Sequence, residues 1–384
     1  MSPAPLLGII GPFGPAQLAC IRSWRCAGYR TAFFQTGGRR VPDGLQRLSD
    51  VYCFFPAGTA LDDILDKVSE ECVRLKVAGL AALSESLALK LHARQRSGAF
   101  AGTGLMLNTP ELYDLLESKS RQVELARQAG LPVMPTYVLE RGSELPDITG
   151  PLVLRPDITR LVRPSFKVKL VATAAEAVAV ARGMTTPEGR IVAQPFVSGP
   201  NLVVHAARSA DGSWDHHEAF CTSIKSAGLA VALQPFALPA GLLDACRRFE
   251  QAVGLRGVFH YDFILDRASG EAFFLEVNPR LGGTTAKVYA AGYDEPAMLP
   301  AAFFQPGAHR VDLDRPRNAS VSRIAAVRYG LSLLRAAPSV LDYPPYRDPR
   351  AFGQLAKALL LHRDEVFRLT DVVGNSAYLL QTKS

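Results

Sequence analysis

The first hundred residues alternate between short apolar runs and longer segments whose apolar residues recur with a helical period. Short runs rich in Leu, Ile, Val and Phe favour buried strands. The predicted strands are residues 6–10, 30–35, 51–55 and 78–83. The predicted helices are residues 16–27, 61–76 and 85–94. Because strands alternate with helices, we expect a small doubly wound domain with a parallel sheet over residues 1–108.

The pattern becomes mixed after residue 108, where strands also follow one another directly. A single helix is predicted from Thr109-Pro110 to Gly130, since Thr can cap a helix and Pro suits its first turn. The later strands are predicted at residues 151–156, 190–197, 202–207, 218–223 and 320–329. The later helices are predicted at residues 176–182 and 239–253, and from 350–361 into the residues that follow. This second part therefore reads as α+β.

A hairpin over residues 258–277 carries the candidate chemistry. Its two β-rich runs flank the turn-forming segment 266–270, so alternation places His260, Asp262 and Ile264 on one face. Glu276 and Asn278 share one face of the returning strand, with Asp262 opposite or diagonal to Glu276.

Two carboxylates and an amide oxygen on one face are hard-oxygen ligands suited to Mg²⁺. Arg280 follows directly, where its guanidinium could hold phosphate oxygens. A surface hairpin with chance acids is the simpler alternative.

Charge and cysteine content limit the function classes. The net charge of +7 and pI near 9.1 suit an anionic substrate, and the basic residues are too dispersed to indicate nucleic-acid binding. The six cysteines form no C-x-x-C pair, which favours reduced thiols. Without a signal-peptide pattern or a run of about eighteen apolar residues, we expect a cytoplasmic protein with no membrane partner. The sequence leaves monomer and homodimer both open.

The run Glu-Val-Asn-Pro-Arg at 276–280, with Asp262 fourteen residues before Glu276, resembles the metal-binding end of the ATP-grasp ligases. That family includes carbamoyl phosphate synthetase, biotin carboxylase, the D-alanine ligases and the pyrrolysine-pathway ligase. The resemblance implies that Asp262, Glu276 and Asn278 bind Mg²⁺, with Mn²⁺ as an alternative. It also implies that these three residues and Arg280 are catalytic.

The resemblance extends to the nucleotide site. It implies that Lys119 reaches the phosphates and that Arg155 stands where relatives carry a lysine for the α-phosphate. At the hinge strand it implies that the Pro195 carbonyl and the Val197 amide, on either side of Phe196, pair with adenine. Gln194 and Asn201 stand where many relatives have acids that bind the ribose, and both can still form hydrogen bonds.

One loop departs from the family pattern. Many ATP-grasp enzymes close a glycine-rich loop over the phosphates, but residues 157–167 contain no glycine. The side chains of Arg160, Arg163 and Lys167 could replace the missing amides. A solvated loop is an equal alternative.

Two further segments are candidates for substrate contact. Gly11 and Gly14 follow the first strand, and the family resemblance implies that such a preceding domain helps to hold the acceptor substrate. The spacing of Gly8, Gly11 and Gly14 does not fit a dinucleotide fingerprint. The second segment has exposed amides and hydroxyls that could hold an oxyanion or carboxylate. It comprises Gly282, Gly283, Thr284 and Thr285.

The implied organisation is an ATP-grasp domain of two α+β lobes over residues 109–308, with a small lobe at about 135–195 and a large lobe at about 196–308. Residues 309–384 would complete this domain or pack on it. The implied activity is an ATP-dependent ligase that converts a carboxylate to an acyl phosphate and joins it to an amine.

Three alternatives remain open at this point. Bicarbonate as the acid would give a carboxylase or carbamoyl enzyme. A degenerate fold that binds nucleotide or a partner without turnover is favoured by the altered loop and opposed by the intact metal set. A hydride-transferring enzyme is disfavoured by the glycine spacing.

Overall fold

The computed structural model describes residues 4–146, 148–304, 315–335, 339–345 and 348–382. Three sheets organise these residues, with five, four and seven strands. The first sheet is parallel and the other two are largely antiparallel, so the predicted α/β and α+β fold class is confirmed. None of the described helices is long and apolar enough to cross a membrane.

The N-terminal domain is the parallel sheet with helices on both faces. Its elements are β1 (Leu6–Gly11), α1 (Pro15–Cys26), β2 (Arg30–Thr36), β3 (Val51–Phe55), α2 (Leu61–Leu75), β4 (Val77–Ala82), α3 (Glu85–Arg96) and β5 (Gly104–Leu105). The strand order is β3-β2-β1-β4-β5. Leu7 and Ile9 pack with α1, whereas Leu6 and Ile10 pack with α2 and α3. Burial of both faces explains the continuous apolar runs.

Two short helices, α4 (Pro110–Glu117) and α5 (Lys119–Gln128), follow this domain. The prediction of one continuous helix is wrong at Ser118, whose backbone is extended at φ −82° and ψ 118°. Ser118 caps α5 by accepting a hydrogen bond from the Arg121 amide. Its hydroxyl also donates to the buried Asp157 carboxylate at 2.9 Å. The break therefore has a tertiary cause that periodicity does not show.

The small lobe is the four-stranded antiparallel sheet with one helix against it. Its elements are β6 (Tyr137–Leu139), β7 (Leu152–Pro156), β8 (Lys169–Val171), α6 (Ala174–Arg182) and β9 (Ile191–Pro195). The strand order is β6-β9-β7-β8. Leu152 and Leu154 on β7 pack against Ala177 and Ala181 on α6, which closes a core separate from that of the large lobe.

The large lobe is built on the seven-stranded sheet. Its elements are β10 (Asn201–Arg208), β11 (Asp215–Ser226), β12 (Leu229–Phe236), α7 (Ala240–Val253), β13 (Gly257–Leu265), β14 (Ala272–Asn278), α8 (Thr285–Ala291) and α9 (Glu295–Phe303). The C-terminal segment adds β15 (Ser320–Val321), α10 (Arg323–Leu334), α11 (Arg350–Leu361), β16 (Arg363–Asp364) and α12 (Val372–Thr382). The strand order is β14-β13-β10-β11-β12-β15-β16.

The C-terminal segment adds two strands at one side of this sheet, because β15 pairs with β12 and β16, the edge strand, pairs with β15. The predicted strand over residues 320–329 is wrong beyond Val321. Ser322 caps α10 by accepting a hydrogen bond from the Ala325 amide, so the chain turns helical at once. The predicted boundary between residues 308 and 309 lies outside the described residues.

Candidate active site

The carboxylates of the predicted hairpin lie side by side. Asp262 pairs directly with Glu276 across β13 and β14, and His260 pairs with Asn278. Directly opposed residues share a face of the sheet. The Asn278 amide nitrogen lies 3.3 Å from Asp262 Oδ2 and 3.5 Å from Glu276 Oε1. The structure thus brings together the three predicted metal ligands.

The electrostatics of this pair favour a cation. Burial, followed by the neighbouring Glu276 carboxylate, raises the pKa of Asp262 to about 7. A divalent ion between the two carboxylates would relieve both penalties, and rotation of the Asn278 amide by half a turn would add its oxygen. The donor set of two carboxylates and an amide oxygen therefore fits Mg²⁺.

Two cations from other elements approach the same carboxylate. Lys119 Nζ lies 4.0 Å and Arg155 Nη1 lies 3.8 Å from Glu276 Oε2. Lys119 is the first residue of α5, and its amide donates to the Asp157 carbonyl. The break at Ser118 is therefore what places Lys119 beside the carboxylates.

Arg155 is held by a chain of hydrogen bonds through the small lobe. Its Nη2 donates to Gln194 Oε1 at 2.9 Å and to the Leu275 carbonyl at 3.2 Å. The Gln194 amide in turn donates to Thr136 Oγ1 at 2.9 Å. Burial lowers the pKa of Arg155, and Glu276 opposes that effect. Gln194 therefore orients Arg155, and the ribose contact that the resemblance implies for Gln194 stays a prediction.

The hinge between the lobes follows β9. Pro195 pairs with Leu152, and the Phe196 amide donates to the Pro151 carbonyl at 2.9 Å. The chain leaves the small-lobe sheet after this bond. Val197 therefore lies in the connection to β10, and its pairing with adenine stays a prediction.

Asn201 begins β10 and is tied to β11. Its amide donates to Thr222 Oγ1 at 2.7 Å, and its Oδ1 accepts from Lys225 Nζ at 3.0 Å. Lys225 also donates to the Gly199 carbonyl at 2.9 Å. Burial lowers the pKa of Lys225 to about 8. Lys225 thus fixes both the hinge turn and the predicted ribose residue.

The glycine-free loop divides its three cations between two environments. Arg160 forms a bidentate pair with Glu117 at the end of α4, with bonds of 2.7 and 2.9 Å. Arg163 and Lys167 are exposed, and neither forms an ion pair with another described residue. Arg163 and Lys167, rather than Arg160, are thus placed to contact an incoming anion.

Arg280 joins the hairpin to the N-terminal domain. Its Nε lies 3.3 Å from Glu85 Oε1 at the start of α3. Nearby, the Asn108 side chain donates to the Pro279 carbonyl at 2.9 Å and accepts from the Arg256 amide at 3.1 Å. The predicted catalytic arginine therefore lies at the junction of the two domains.

The loop after Arg280 rests on a buried histidine–carboxylate network. His205 Nδ1 lies 2.9 Å from Glu295 Oε1, and His205 Nε2 lies 3.0 Å from Thr284 Oγ1. Thr285 Oγ1 donates to Glu295 Oε2 at 2.8 Å and accepts from the Gly282 amide at 2.9 Å. Thr285 is fully buried, so its hydroxyl supports the loop instead of facing a substrate.

His260 lies under Gly282. Its ring stacks on that of His205 with centroids 5.3 Å apart, and its Nε2 lies 3.9 Å from Asp262 Oδ2. Burial lowers the pKa of His260 well below its usual value, so the ring is neutral. A Cβ on Gly282 would overlap the His260 ring, whereas a Cβ on Gly283 would meet nothing within 4 Å.

The two glycines therefore give a matched pair of variants. We expect Gly282→Ala to lower the free energy of unfolding by about 1–3 kcal/mol, because a methyl group overpacks His260. Gly283→Ala should stay within about 0.5 kcal/mol of the native protein, since its Cβ points into open space. Urea denaturation of both variants measures the difference. Equal stabilities would show that His260 does not fill this space.

Gly11 is the last residue of β1, and Gly14 directly precedes α1. Gly11 has φ +149°, which favours glycine, and Gly14 is the extended N-cap residue of α1. A Cβ at Gly14 would lie 3.1 Å from Gln17 Oε1. Behind this connection, α1 packs on α8 through Ala19 and Tyr289. The first glycine segment therefore belongs to the same helix pair as the loop at 282–285.

Comparison with known proteins shows similarity in structure but not in sequence. No protein-family model and no curated protein matches the sequence. Among solved structures, the ADP complex of PurK (N5-carboxyaminoimidazole ribonucleotide synthetase) superposes with a TM-score of 0.62 at 13% identity, covering 87% of each chain. L-amino acid ligase from Bacillus licheniformis gives 0.61 at 18% identity over 83% of this chain and 79% of its own. Biotin carboxylase from Campylobacter jejuni gives 0.60 at 14% identity over 81% and 73%.

These three structures share one architecture. The protein has the ATP-grasp fold. The sequence analysis did not identify three residues that support the candidate site. Glu295 orients His205, Asp157 holds the start of α5, and Thr136 completes the bonds under Arg155. Strand alternation indicates His260, but no sequence pattern marks Glu295, which lies ninety residues after its partner.

A second histidine–carboxylate cluster lies away from the candidate ATP-grasp site. Ligand atoms of Asp215, His217 and Glu250 lie within 4.8 Å of one another. Arg247 already pairs with Asp215 at 2.9 Å, and the Tyr261 hydroxyl donates to Glu250 at 3.1 Å. We read this cluster as an ion-pair network that ties α7 to the sheet.

Proposed function

We propose that this protein is an ATP-dependent ligase that joins a carboxylate to the amine of an amino acid. The observation that carries the proposal is the convergence of Asp262 and Glu276 with Lys119 and Arg155 from two other elements. Carboxylates that hold a divalent ion, beside cations that hold phosphates, form the arrangement needed for phosphoryl transfer. The fold shared with PurK, biotin carboxylase and L-amino acid ligase supports it.

The reaction balances in two steps. A carboxylate oxygen of the substrate attacks the γ-phosphorus of ATP, the bond to the bridging oxygen breaks, and ADP leaves with both electrons. The nitrogen lone pair of the amine then attacks the acyl carbon, inorganic phosphate leaves, and the amine loses a proton. Since no side chain acts as nucleophile, a Ser-His-Asp or Cys-His arrangement is not required.

The residues divide this work by position. Asp262, Glu276 and Asn278 would hold Mg²⁺ or Mn²⁺, which supplies positive charge beside the phosphate oxygens. Lys119 and Arg155 bind phosphates, and Arg280 steadies the transferring group. Residues Pro195 to Val197 bind adenine through the backbone, Asn201 contacts the ribose, and Gln194 orients Arg155.

The substrate acid is proposed to lie against the loop over residues 282–285. Gly283 is exposed there, and Thr284 is oriented by His205. Gly11 and Gly14, at the end of β1 and before α1, adjoin this loop through the contact of α1 with α8. Together the two segments would hold the acid, the amine or both. The similarity to L-amino acid ligase supports an amine acceptor. The similarity to biotin carboxylase supports the bicarbonate alternative.

ADP release from the purified protein with Mg·ATP tests the proposal. Pools of amino acids and small carboxylic acids are compared with a separate bicarbonate pool. We expect ADP only when an acid and an amine are both present. ADP release with bicarbonate alone would replace the proposal by carboxylase or carbamoyl chemistry. Absence of ATP binding would contradict it and favour the degenerate alternative.

The altered loop gives a second prediction. We expect Arg163→Ala and Lys167→Ala each to raise the KM for ATP about fivefold to tenfold, because each removes a charge-assisted contact to phosphate. Arg121→Ala, on the neighbouring helix α5, serves as the control with an unchanged KM. Initial rates over a range of ATP concentrations measure the effect. An unchanged KM in both loop variants would make the loop a bystander.

A further inference from the structure

A cavity of about 120 Å³ lies between the large-lobe sheet and the C-terminal segment, away from the carboxylate pair. Cys221 and Ser223 line it on β11, and Gln354 and His362 line it from α11 and the residue that follows. Cys221 pairs with Leu202, which is adjacent to Val203, the partner of Asp262. Because neighbouring strand residues point to opposite faces, the cavity wall at Cys221 and the carboxylate pair lie on opposite faces of the sheet.

Three lining residues carry buried polar atoms without a partner. Ser223 Oγ, Gln354 Oε1 and His362 Nδ1 have no hydrogen bond to any residue that the structure describes. The His362 side chain is nearly inaccessible, at 6% exposure. Buried polar atoms are almost always paired, because an unmade bond is costly. These three atoms leave three hydrogen-bonding positions around one cavity that a bound molecule can fill.

The charge of the cavity favours an anion. Lys357 lines it from the exposed side of α11, and none of its described lining residues is acidic. A carboxylate would accept hydrogen bonds from the Lys357 ammonium and the Ser223 hydroxyl. Half a turn of the Gln354 amide would add its NH₂ group as a third donor.

His362 adds a requirement for a donor on the ligand. Burial lowers the pKa of His362, so its ring is neutral, and the nearby Ser320 backbone opposes that effect. A neutral imidazole keeps one nitrogen as an acceptor, and we assign that role to Nδ1, which has no partner among the described residues. A hydroxyl next to the carboxylate would satisfy Nδ1. An ammonium group in its place would lie beside Lys357 and be repelled.

We propose that this cavity binds a short α-hydroxycarboxylate. Its size supports a molecule of about six non-hydrogen atoms, since an apolar protein cavity of about 150 Å³ accepts benzene. The site uses none of the residues assigned to ATP chemistry. Binding at this cavity can therefore be tested independently of the proposed ligase activity.

Isothermal titration of the full chain with glycolate and with L- and D-lactate tests this site, with acetate and propionate as probes that lack the hydroxyl. We expect saturable binding of at least one hydroxy acid, at least about fivefold tighter than binding of its match without the hydroxyl. Lys357→Gln and Ser223→Ala should each weaken that binding about tenfold. Lys90→Gln, an exposed lysine on α3, should leave it unchanged.

Glu276→Gln distinguishes the two sites, because it alters the carboxylate pair on the other face and should leave hydroxy-acid binding intact. Loss of binding in that variant would place the ligand at the active site and overturn the proposal. Absence of saturable binding for all three hydroxy acids would overturn it as well. So would native affinity in Lys357→Gln, an exposed position where folding is not at risk.

Discussion

Glu276→Gln should abolish ATP consumption while leaving the fold intact. The carboxylate lies opposite Asp262 and within 4.0 Å of Lys119 Nζ and 3.8 Å of Arg155 Nη1. An uncharged amide is a poor ligand for a hard divalent ion, so we expect kcat to fall at least about 10³-fold. Removing one of two adjacent like charges also relieves Asp262, so stability should not fall. ADP release and thermal melting measure the two effects.

Glu271→Gln is the matched control. Glu271 is exposed in the turn of the same hairpin, and the same chemical change there touches neither the carboxylates nor the cations. We expect native turnover and native melting from this variant. Turnover by Glu276→Gln at the rate of Glu271→Gln would remove Glu276 from the mechanism. A large loss of melting temperature in Glu276→Gln would instead make the carboxylate a structural residue.

The hairpin could be predicted from the sequence because its information is local. Alternation over β13 and β14 and the turn at 266–270 set the register, which places Asp262 opposite Glu276. The parallel N-terminal sheet was equally accessible, since burial on both faces leaves continuous apolar runs. In both cases the pattern and the contact lie within a few residues of each other.

The supports of the site could not be predicted, because their partners are far apart in sequence. The resemblance implies a ribose contact for Gln194, but it does not indicate the hydrogen bond that Gln194 accepts from Arg155 on the neighbouring strand. The break between α4 and α5 depends on Asp157, which follows Ser118 by 39 residues. Helical periodicity continues through Ser118, so only the tertiary contact reveals where Lys119 lies.

The C-terminal segment shows the same limit. The predicted helix over residues 350–361 corresponds to α11, but its predicted continuation is wrong, because the chain leaves the helix at His362 and forms β16. The predicted strand over residues 320–329 ends after two residues in the structure, because β15 extends only as far as its pairing with β12 and β16. Short edge strands carry little pattern of their own, and their length is set by the sheet they join.

We expect a buried ion pair to hold the C-terminal segment against the large lobe. Lys287 on α8 and Glu365, just after β16, lie 2.8 Å apart with side-chain exposures of 7% and 6%. Lys287→Met should lower the free energy of unfolding by about 3–5 kcal/mol, because Glu365 would keep a buried charge without its partner. Urea denaturation followed by tryptophan fluorescence measures this, since Trp24 is fully buried.

An exposed ion pair with nearly the same N–O distance serves as the control for the effect of burial. Lys67 and Glu70 lie 2.7 Å apart with exposures of 67% and 64%, so Lys67→Met should leave stability unchanged. Lys287→Met combined with Glu365→Leu should recover most of the loss, because no unpaired charge remains. If Lys287→Met proves as stable as Lys67→Met, the pair does not anchor the C-terminal segment. The strands β15 and β16 would then hold the segment, together with its contacts to the N-terminal domain. One of these contacts is the ion pair between Arg22 on α1 and Asp371, just before α12, at 2.6 Å.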